Sequence, residues 1–341
     1  MIKSIHFKNF KALRDATLPL SQFTLIVGPN GSGKSTAMQA LQVASDPGSR
    51  EFNMVVTAGL QNQTGKVVEL TINWVVSLTK VISKSGWQRV GDTIRAYGPE
   101  VLGTDNNQIL PEFHQIIRNN LSGFRIFSFD ALKLSSSVQL RGEAELQPDG
   151  SNLAGVLDYL RDSEPERFEA LNEELSKWLP EFDRILFETP TTGHRAFLLR
   201  TRSGKHRIHA YDLSHGTLFA LAFLTLAYLP NPPSIMCFEE PERGIHPRLL
   251  REIRDAMYRL CYPEEYGDKR SPVQVIATTH SPYFLDLYKE HPEEVVIAHK
   301  DEEGIHFERL SEKPDINEFL QDAPLGEVWY SGILGGVPME P

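Results

Sequence analysis

The sequence predicts an α/β protein whose core is a parallel sheet built around a phosphate-binding loop. A glycine-rich turn lies between an apolar strand and a helix at residues 25–41. Two later apolar stretches, at residues 232–240 and 273–280, each end in polar residues. Because open α/β sheets present their functional groups at the carboxyl ends of strands, the three stretches together predict one site.

The composition of the chain argues against several classes of protein. The 341 residues carry a net charge of −10, which argues against a surface that is basic throughout but leaves room for a local basic patch. Two cysteines imply no disulfide framework. Residues 1–13 are too polar for a signal peptide, and the longest apolar run, Leu218 to Leu229, is shorter than the ~20 residues of a membrane span. We expect a cytoplasmic protein without a membrane partner.

The glycine-rich turn GPNGSGKS matches the pattern G-x-x-x-x-G-K-[ST]. The apolar stretch Phe23 to Val27 predicts a buried strand before it, and Thr36 to Ala44 predicts a helix after it. Glycines let backbone N–H groups turn towards phosphates, and the helix N-terminus adds positive charge. Lys34 is expected to reach the β- and γ-phosphates, and Ser35 to ligate Mg²⁺. The predicted nucleotide-binding residues are Asn30, Gly31, Ser32, Gly33, Lys34, Ser35 and Thr36.

A second motif, IMCFEEPE, places two carboxylates at the end of a predicted strand. One of them can hold the Mg²⁺ shell, and its neighbour can orient and deprotonate an attacking water. Since adjacent strand residues point to opposite faces, Glu240 must lie where the strand already breaks, and Pro241 supplies that break. Two solvated glutamates before a turn are the simpler alternative.

Two further motifs add polar groups. In ATTHS, His280 follows a buried strand, where an imidazole can hydrogen-bond a γ-phosphate oxygen. In LSHGT, Ser214 is placed to cap an apolar helix, and with Gly216 it offers a helix start to an anion. A structural histidine and a capped core helix are the alternatives when each motif is taken alone.

The order GPNGSGKST, LSHGT, IMCFEEPE, ATTHS resembles the nucleotide-binding heads of the ABC ATPases. The chain is most similar to the SMC/RecF-like branch and to the predicted ATPases of bacterial defence and overcoming-lysogenisation (OLD) systems. The opening IKSIHFKNFKALRDATLPL resembles their first hairpin, and LQPDGSNLAGVLDYL resembles a segment before the signature helix. The resemblance runs from residue 1 to about residue 290.

This resemblance implies an ATP- and Mg²⁺-dependent ATP hydrolase. Glu239 would be the Mg²⁺-associated carboxylate, Glu240 the general base and His280 the switch histidine. Ser214 and Gly216 would bind the γ-phosphate of ATP held by a second copy, because such heads pair head-to-tail around two nucleotides. Residues 242–246 would form the loop that crosses this interface.

Two departures from the family pattern matter. Glu239 stands where aspartate is common, so its link to the metal is expected to run through water and turnover to be slow. The glutamine that reports on the metal is not identified, and Gln61, Gln63 and Gln139 all stay open.

The predicted organisation is a single ATPase head, with residues 1–44 and 205–300 as the nucleotide-binding core. An antiparallel β subdomain is predicted at the N-terminus. Residues 45–204 are predicted to form an insertion of short strands (Val67 to Leu78, Thr93 to Tyr97 and Phe124 to Phe129) followed by a compact helical lid, whose apolar residues at helical spacing between Leu153 and Trp178 are predicted to be core. No sustained heptad pattern indicates a coiled-coil arm. Residues 301–341 are predicted to be an extension without a nuclease motif. Residues 293–310 predict a strand pair, and the apolar, glycine-rich residues 325–338 suit packing or partner docking.

Residues 195–211, where the predicted insertion meets the second half of the core, carry five basic side chains and no acid around a Ser203-Gly204 turn. This predicts a hairpin that either contacts nucleic acid or is offset by acidic neighbours.

The leading hypothesis is an ATP-sandwiched homodimer that gates a separately encoded effector, such as a nuclease or toxin, in anti-phage defence. A DNA-repair or DNA-maintenance ATPase, and a scaffold that binds ATP but scarcely hydrolyses it, are the alternatives.

Overall fold

The computed structural model describes residues 1–45, 52–61, 67–76, 86–90, 93–97, 123–140, 142, 145–302, 304–314 and 316–334. Internal contacts divide the chain into two compact units. The first unit comprises Met1–Phe124 and Gln274–Pro341, and the second unit comprises Arg125–Val273.

The described residues form strands and helices in the following order. The strands are β1 (Ile2–Phe10), β2 (Leu13–Pro19), β3 (Phe23–Val27), β4 (Phe52–Gln61), β5 (Val67–Val76), β6 (Gly86–Val90), β7 (Thr93–Tyr97), β8 (Phe124–Phe127), β9 (Val138–Gln139), β10 (Phe182–Glu188), β11 (His194–Thr201), β12 (Arg207–His209), β13 (Ile235–Glu239), β14 (Gln274–Thr279), β15 (Val295–Lys300) and β16 (Ile305–Arg309). The helices are α1 (Lys34–Ser45), α2 (Ala131–Leu134), α3 (Leu153–Ser163), α4 (Pro165–Trp178), α5 (His215–Tyr228), α6 (Leu250–Cys261), α7 (Pro282–Leu285), α8 (Ile316–Asp322) and α9 (Leu325–Tyr330).

The first unit contains an N-terminal sheet with strand order β2-β1-β4-β5-β7-β6. All neighbours in it run antiparallel except β5 and β7. The predicted hairpin at the N-terminus is therefore confirmed as β1 and β2, and the predicted strand from Thr93 to Tyr97 is β7. The strand expected from Val67 to Leu78 is described as far as Val76, and the remainder lies outside the described residues.

The phosphate-loop strand lies in the middle of a parallel sheet in the same unit. β3 pairs in parallel with β14 on one side and with β15 on the other. Val27, the last residue of β3, lies opposite both Thr279 and Ile297. Every residue of β3 and β14 is buried, and both strands are rich in apolar residues, as is typical of strands covered on both faces. The carboxyl ends of β3, β14 and β15 consequently meet at one edge.

The predicted strand pair at residues 293–310 is confirmed as β15 and β16, which run antiparallel. After it, α9 buries Leu325, Val328 and Trp329. These three residues therefore pack in the core, whereas Tyr330 and Ile333 of the same segment are exposed.

In the second unit, β8 and β13 are neighbours. The rings of Phe127 and Phe238 stack with centroids 5.5 Å apart, and Phe223 of α5 lies 5.2 Å from Phe238. α5 is buried from Thr217 to Tyr228 except at Phe219. The predicted strand from Phe124 to Phe129 ends earlier, at Phe127, because Ser128 and Asp130 turn to bond the carbonyls of Pro148 and Asp149.

The remainder of the second unit packs α3 and α4 beside the antiparallel strands β10, β11 and β12. The apolar residues predicted to form the core of this region are all buried: Leu153, Val156, Leu157, Leu160, Phe168, Leu171, Leu175 and Trp178. The hairpin predicted around Ser203-Gly204 joins β11 to β12, with Gly204 at φ +69°.

A buried ion-pair network connects the helices of the second unit. Arg167 of α4 donates two hydrogen bonds of 2.8 Å to the carboxylate of Asp268. Arg270 lies 3.6 Å from the same carboxylate and donates to the carbonyls of Leu229 and Arg259, at the ends of α5 and α6. The hydrogen bonds from Arg167 lower the pKa of Asp268 to about 2, and burial lowers the pKa of Arg270 to about 10. Both groups therefore carry charge at neutral pH and fix the ends of α4, α5 and α6.

Candidate functional site

The phosphate loop in the first unit connects β3 directly to α1. The helix begins at Lys34, two residues before the predicted start at Thr36. Asn30, Gly31 and Ser35 are exposed and Thr36 is partly exposed, whereas Ser32 and Lys34 are buried. The loop thus presents backbone and small polar groups at the N-terminus of a 12-residue helix, which favours an anion.

The glycines of this loop occupy positions that exclude a side chain. A Cβ at Gly28 would lie 2.3 Å from the carbonyl oxygen of Ala298, and one at Gly33 would lie 2.6 Å from Ile305. Gly31 and Gly33 have φ of +79° and +91°, a region that residues with a Cβ rarely adopt. The β15–β16 hairpin therefore supports the loop from behind.

Lys34 is 5% exposed, and its ammonium group is held by the loop itself. Nζ donates to the carbonyl oxygens of Gly28 at 2.7 Å and of Pro29 at 2.9 Å. A buried ammonium with carbonyl partners can exchange them for phosphate oxygens, which bear more negative charge. These observations fit a loop that binds a nucleoside triphosphate.

His280 follows β14 at the same sheet edge as the loop. Its neighbours fix the backbone, because Ser281 N–H donates to Thr279 Oγ1 at 3.0 Å and Ser281 Oγ accepts from Phe284 N–H at 3.3 Å. Thr279 and Val27 are partners in the parallel pairing of β14 and β3. His280 and Gly28, which follow them, therefore leave the ends of the two strands next to each other. The side chain is partly exposed, as a phosphate ligand must be.

In the second unit, β13 ends at Glu239, and Glu240 is the first residue outside the strand. Glu240 has φ +48°, so the backbone turns left-handed at a residue that is neither glycine nor asparagine. The predicted break therefore falls on Glu240 itself, before Pro241. Both carboxylates are partly exposed.

A half-open cavity of about 510 Å³ adjoins these carboxylates. Its apolar surface comes from phenylalanines of β8, α5 and β13, including Phe127, Phe223 and Phe238. Asp130, which also caps α2 by accepting from Lys133 N–H at 3.1 Å, lines the cavity with Arg243. Sequence reasoning did not identify Asp130, because no short motif marks it, and it placed Arg243 only within the loop of residues 242–246 expected to cross the dimer interface.

Ser214 caps α5, as predicted, and its Oγ accepts from Thr217 N–H at 3.1 Å. It is exposed at the start of a 14-residue helix. Gly216 has no room for a side chain, because a Cβ would lie 2.9 Å from the carbonyl oxygen of Gly244. The helix start and the turn after Glu240 are therefore in backbone contact within the second unit.

Of the three glutamines considered for the metal-reporting position, Gln63 lies outside the described residues. Gln61 is the last residue of β4. Gln139 is exposed in β9, opposite His194. Nothing in these positions selects one of them.

The basic hairpin of β11 and β12 is partly offset by acidic and carbonyl partners. Arg195 lies 2.8 Å from Asp158, and Arg200 is paired with Asp183 at 2.8 Å. Arg202 donates to two backbone carbonyls, those of Ser176 and Pro180. Two of the five basic side chains are therefore offset by carboxylates, while Arg202, Lys205 and Arg207 are exposed near the Ser203-Gly204 turn.

Within the described ranges, no group of three or more His, Cys, Asp or Glu side chains is arranged to hold a metal ion. The same residues contain no helix long and apolar enough to cross a membrane.

Comparison with known families gives two matches. Residues 103–286 match a family model described as "AAA domain, putative AbiEii toxin, Type IV TA system". Residues 1–84 match one described as "AAA ATPase domain".

Among curated proteins, the chain is similar to an OLD nuclease from Thermus scotoductus, with 26% identity over 326 residues. The alignment covers 84% of this chain and 60% of that relative, so the chain spans about 60% of the relative's length.

Among solved structures, it is similar to an SMC head bound to the C-winged helix domain of ScpA. The TM-score is 0.53 at 15% identity, with 93% of this chain and 99% of the other covered. The SMC head domain from Thermotoga maritima gives a TM-score of 0.45 at 15% identity, covering 90% and 98%. The head fold expected from the motif order is confirmed.

Proposed function

Since the chain belongs to the AAA domain family matched over residues 103–286, we propose that it binds and hydrolyses ATP with Mg²⁺ and self-associates around the nucleotide. The observation that carries this proposal is the buried ammonium of Lys34 inside a glycine loop at a helix N-terminus. The loop supplies backbone N–H groups and one cation, which is the complement of a β,γ-phosphate pair.

Each predicted residue takes a defined role towards ATP. Asn30, Gly31, Ser32 and Gly33 surround the phosphates with backbone groups, and Lys34 exchanges its two carbonyl partners for phosphate oxygens. Ser35 and Glu239 would hold Mg²⁺, which when bound offsets the charge of the phosphates. Glu239, being one methylene longer than aspartate, acts through a water, and turnover is slow.

Glu240 is proposed as the general base. Its left-handed backbone costs roughly 1–3 kcal/mol, an expense that proteins retain where a side chain must take one direction. Because Glu240 lies outside the strand, its side chain need not follow the alternating directions of strand side chains. Its carboxylate can then receive a proton from the attacking water. His280 is proposed to hydrogen-bond the γ-phosphate and so distinguish ATP from ADP.

Ser214 and Gly216 are proposed to contact the γ-phosphate of ATP held by a second copy of the chain. Ser214 is exposed at a helix start, and Gly216 lets the carbonyl of Gly244 pack closely against that start. ATP would then touch both copies, whereas ADP lacks the group that reaches Ser214, so hydrolysis removes the central ligand of the dimer.

The test is mass measurement in solution with ATP, ADP or no nucleotide. Glu240→Gln keeps the size of the side chain and removes the base, so we expect an ATP-dependent dimer and a phosphate-release rate at least about 100-fold below wild type. Ser214→Arg in the same background should stay monomeric while still binding ATP. A mass that ignores both ATP and Ser214→Arg would rule out the proposed dimer.

A nucleotide-dependent scaffold is the second candidate, favoured by Glu239 in place of aspartate. In that case wild type and Glu240→Gln would release phosphate at equal, near-zero rates and still dimerise with ATP. Glu239→Asp separates the two candidates further, because a hydrolase limited by its metal link should become faster.

We further propose that the ATPase gates a separately encoded effector, such as a nuclease or toxin, in anti-phage defence. The support is the similarity to an OLD nuclease of which the chain spans about 60%, and the family description that mentions a toxin. Plaque counts on cells carrying the gene with its neighbours should rise towards the unprotected level with Lys34→Ala. Unchanged phage titres together with sensitivity to DNA damage would favour a role in DNA repair instead.

A further inference from the structure

The helix that follows His280 is held between two parts of the first unit. On one side, Phe284 and Tyr288 are fully buried, and the Tyr288 ring stacks on Phe23 at 5.2 Å. Phe284 meets Tyr288 edge-on at 5.5 Å. Phe23 is the first residue of β3, so this side ties α7 to the strand that leads into the phosphate loop.

On the other side, α9 contacts α7 through its backbone. A Cβ at Gly326 would lie 2.4 Å from the carbonyl oxygen of Pro282 and 2.8 Å from its Cα. Asp286 Oδ1 accepts a hydrogen bond of 2.6 Å from Gly326 N–H. Both partners are backbone or short side chains at the ends of α7, so this contact tolerates little displacement.

His280 is one residue from Ser281, which caps α7. Any movement of α7 therefore moves the backbone that carries the imidazole, since Ser281 bonds both Thr279 and Phe284. From these contacts we propose that α9 is a positioning element for His280, with Gly326 and Asp286 as the positioning residues. The inference rests on the proposed role of His280 and adds a C-terminal control of it.

Gly326→Ala tests the proposal directly. Alanine normally stabilises a helix by about 1 kcal/mol relative to glycine. Here its Cβ would need about 1 Å more space from Pro282 than it has, so α9 or α7 must shift. Glu327→Ala, at the next and exposed position of α9, is the matched control.

Asp286 offers a second, milder variant that keeps the fold. Asp286→Ala removes the acceptor for Gly326 N–H, whereas Asp286→Asn retains an oxygen acceptor. A positioning role predicts loss in the first and rescue in the second.

The readout is the imidazole NMR signal of His280, assigned with His280→Gln, recorded with and without a non-hydrolysable ATP analogue, alongside kcat and the affinity for a fluorescent ATP analogue. We expect a displaced His280 signal and a kcat at least tenfold lower in Gly326→Ala and Asp286→Ala, with nucleotide affinity within twofold of wild type. Glu327→Ala and Asp286→Asn should match wild type.

An unmoved His280 signal in both disruptive variants would overturn the inference, as would a parallel loss of nucleotide affinity. If wild type releases no phosphate, the proposed hydrolysis fails, while the NMR comparison still decides whether α9 positions His280.

Discussion

Two turns of this chain follow short buried strands and both contain residues with positive φ, but only one of them uses glycine there. After β3, the chain turns through Gly31 and Gly33, whose positive φ values carry no steric cost. After β13, it turns left-handed at Glu240, where a Cβ makes the same region unfavourable. The first turn needs only backbone N–H groups, so glycine serves. The second carries the carboxylate that we propose as the general base, and this role would account for the retained strain.

The difference also appears in what surrounds each turn. The phosphate loop is supported by the β15–β16 hairpin, through Ala298 behind Gly28 and Ile305 behind Gly33. The turn after β13 lies in a unit whose helix ends are fixed by Arg167, Asp268 and Arg270. The phosphate loop is thus supported by a neighbouring hairpin, whereas the turn after β13 is held by its own hydrogen bond, from Arg243 N–H to the carbonyl of Glu240 at 2.9 Å, and by the close approach of the Gly244 carbonyl to Gly216.

The largest expected effect concerns local fit at the phosphate loop. Gly33→Ala must accept both φ +91° and a collision with Ile305, which together should cost about 3 kcal/mol of unfolding free energy. Gly31→Ala meets no atom within 4 Å and should lose only about 1 kcal/mol. Urea unfolding of both variants measures the difference. Equal losses would show that the hairpin does not constrain the loop.

The next effect concerns the buried ion-pair network of the second unit. Asp268→Asn removes the countercharge of the buried Arg270 and the paired carboxylate oxygens that bind the partly exposed Arg167, and should lower the unfolding free energy by about 3 kcal/mol. Asp183→Asn breaks a more exposed pair with Arg200 and should cost less than about 1 kcal/mol. Denaturant titrations of the two variants compare them under identical conditions. A cost for Asp268→Asn no larger than that of Asp183→Asn would show that the network supports nothing.

The pH dependence of the same network has a definite sign. The pKa of Asp268 is about 2 in the folded chain and 3.8 as its ordinary value. A lowered carboxyl pKa stabilises the fold above the ordinary value, and that contribution disappears as the pH falls from about 4 to about 2. Wild type should therefore lose about 2 kcal/mol in this window that Asp268→Asn does not lose. Parallel stability curves for the two proteins between pH 5 and pH 2 would contradict this assignment.

These contrasts show which parts of the chain the sequence could predict. The phosphate loop, the cap at Ser214 and the buried face of α3 and α4 depend on residues close together in sequence, and all were read correctly as local structure. The pairing of Arg167 with Asp268 joins residues 101 positions apart, and that of Arg195 with Asp158 was equally invisible. The sequence left open whether acidic neighbours offset the basic hairpin, because the two carboxylates that pair with Arg195 and Arg200 come from other elements.

The sequence predicted a backbone feature only where the expected chemistry of a side chain required one. The strand break near Glu240 followed from the need to turn a second carboxylate, but its left-handed φ did not. Likewise, no pattern links Gly326 to Pro282, because a glycine chosen for close approach looks like any other glycine. Long-range contact, not propensity, separates what was foreseen from what was not.

The smallest expected effect tests directly whether the turn at Glu240 is strained and the glycine turn is not. Glu240→Gly removes the Cβ from the left-handed position and should raise the unfolding free energy by about 1 kcal/mol while abolishing the proposed base. Glu239→Gly, one residue earlier in ordinary strand geometry, should lose stability by a similar amount. Thermal and urea unfolding of the pair, with Glu240→Gln as the control for lost charge, isolate the backbone contribution. If Glu240→Gly is no more stable than Glu240→Gln, the turn stores no strain, and the two turns differ only in the side chains they carry.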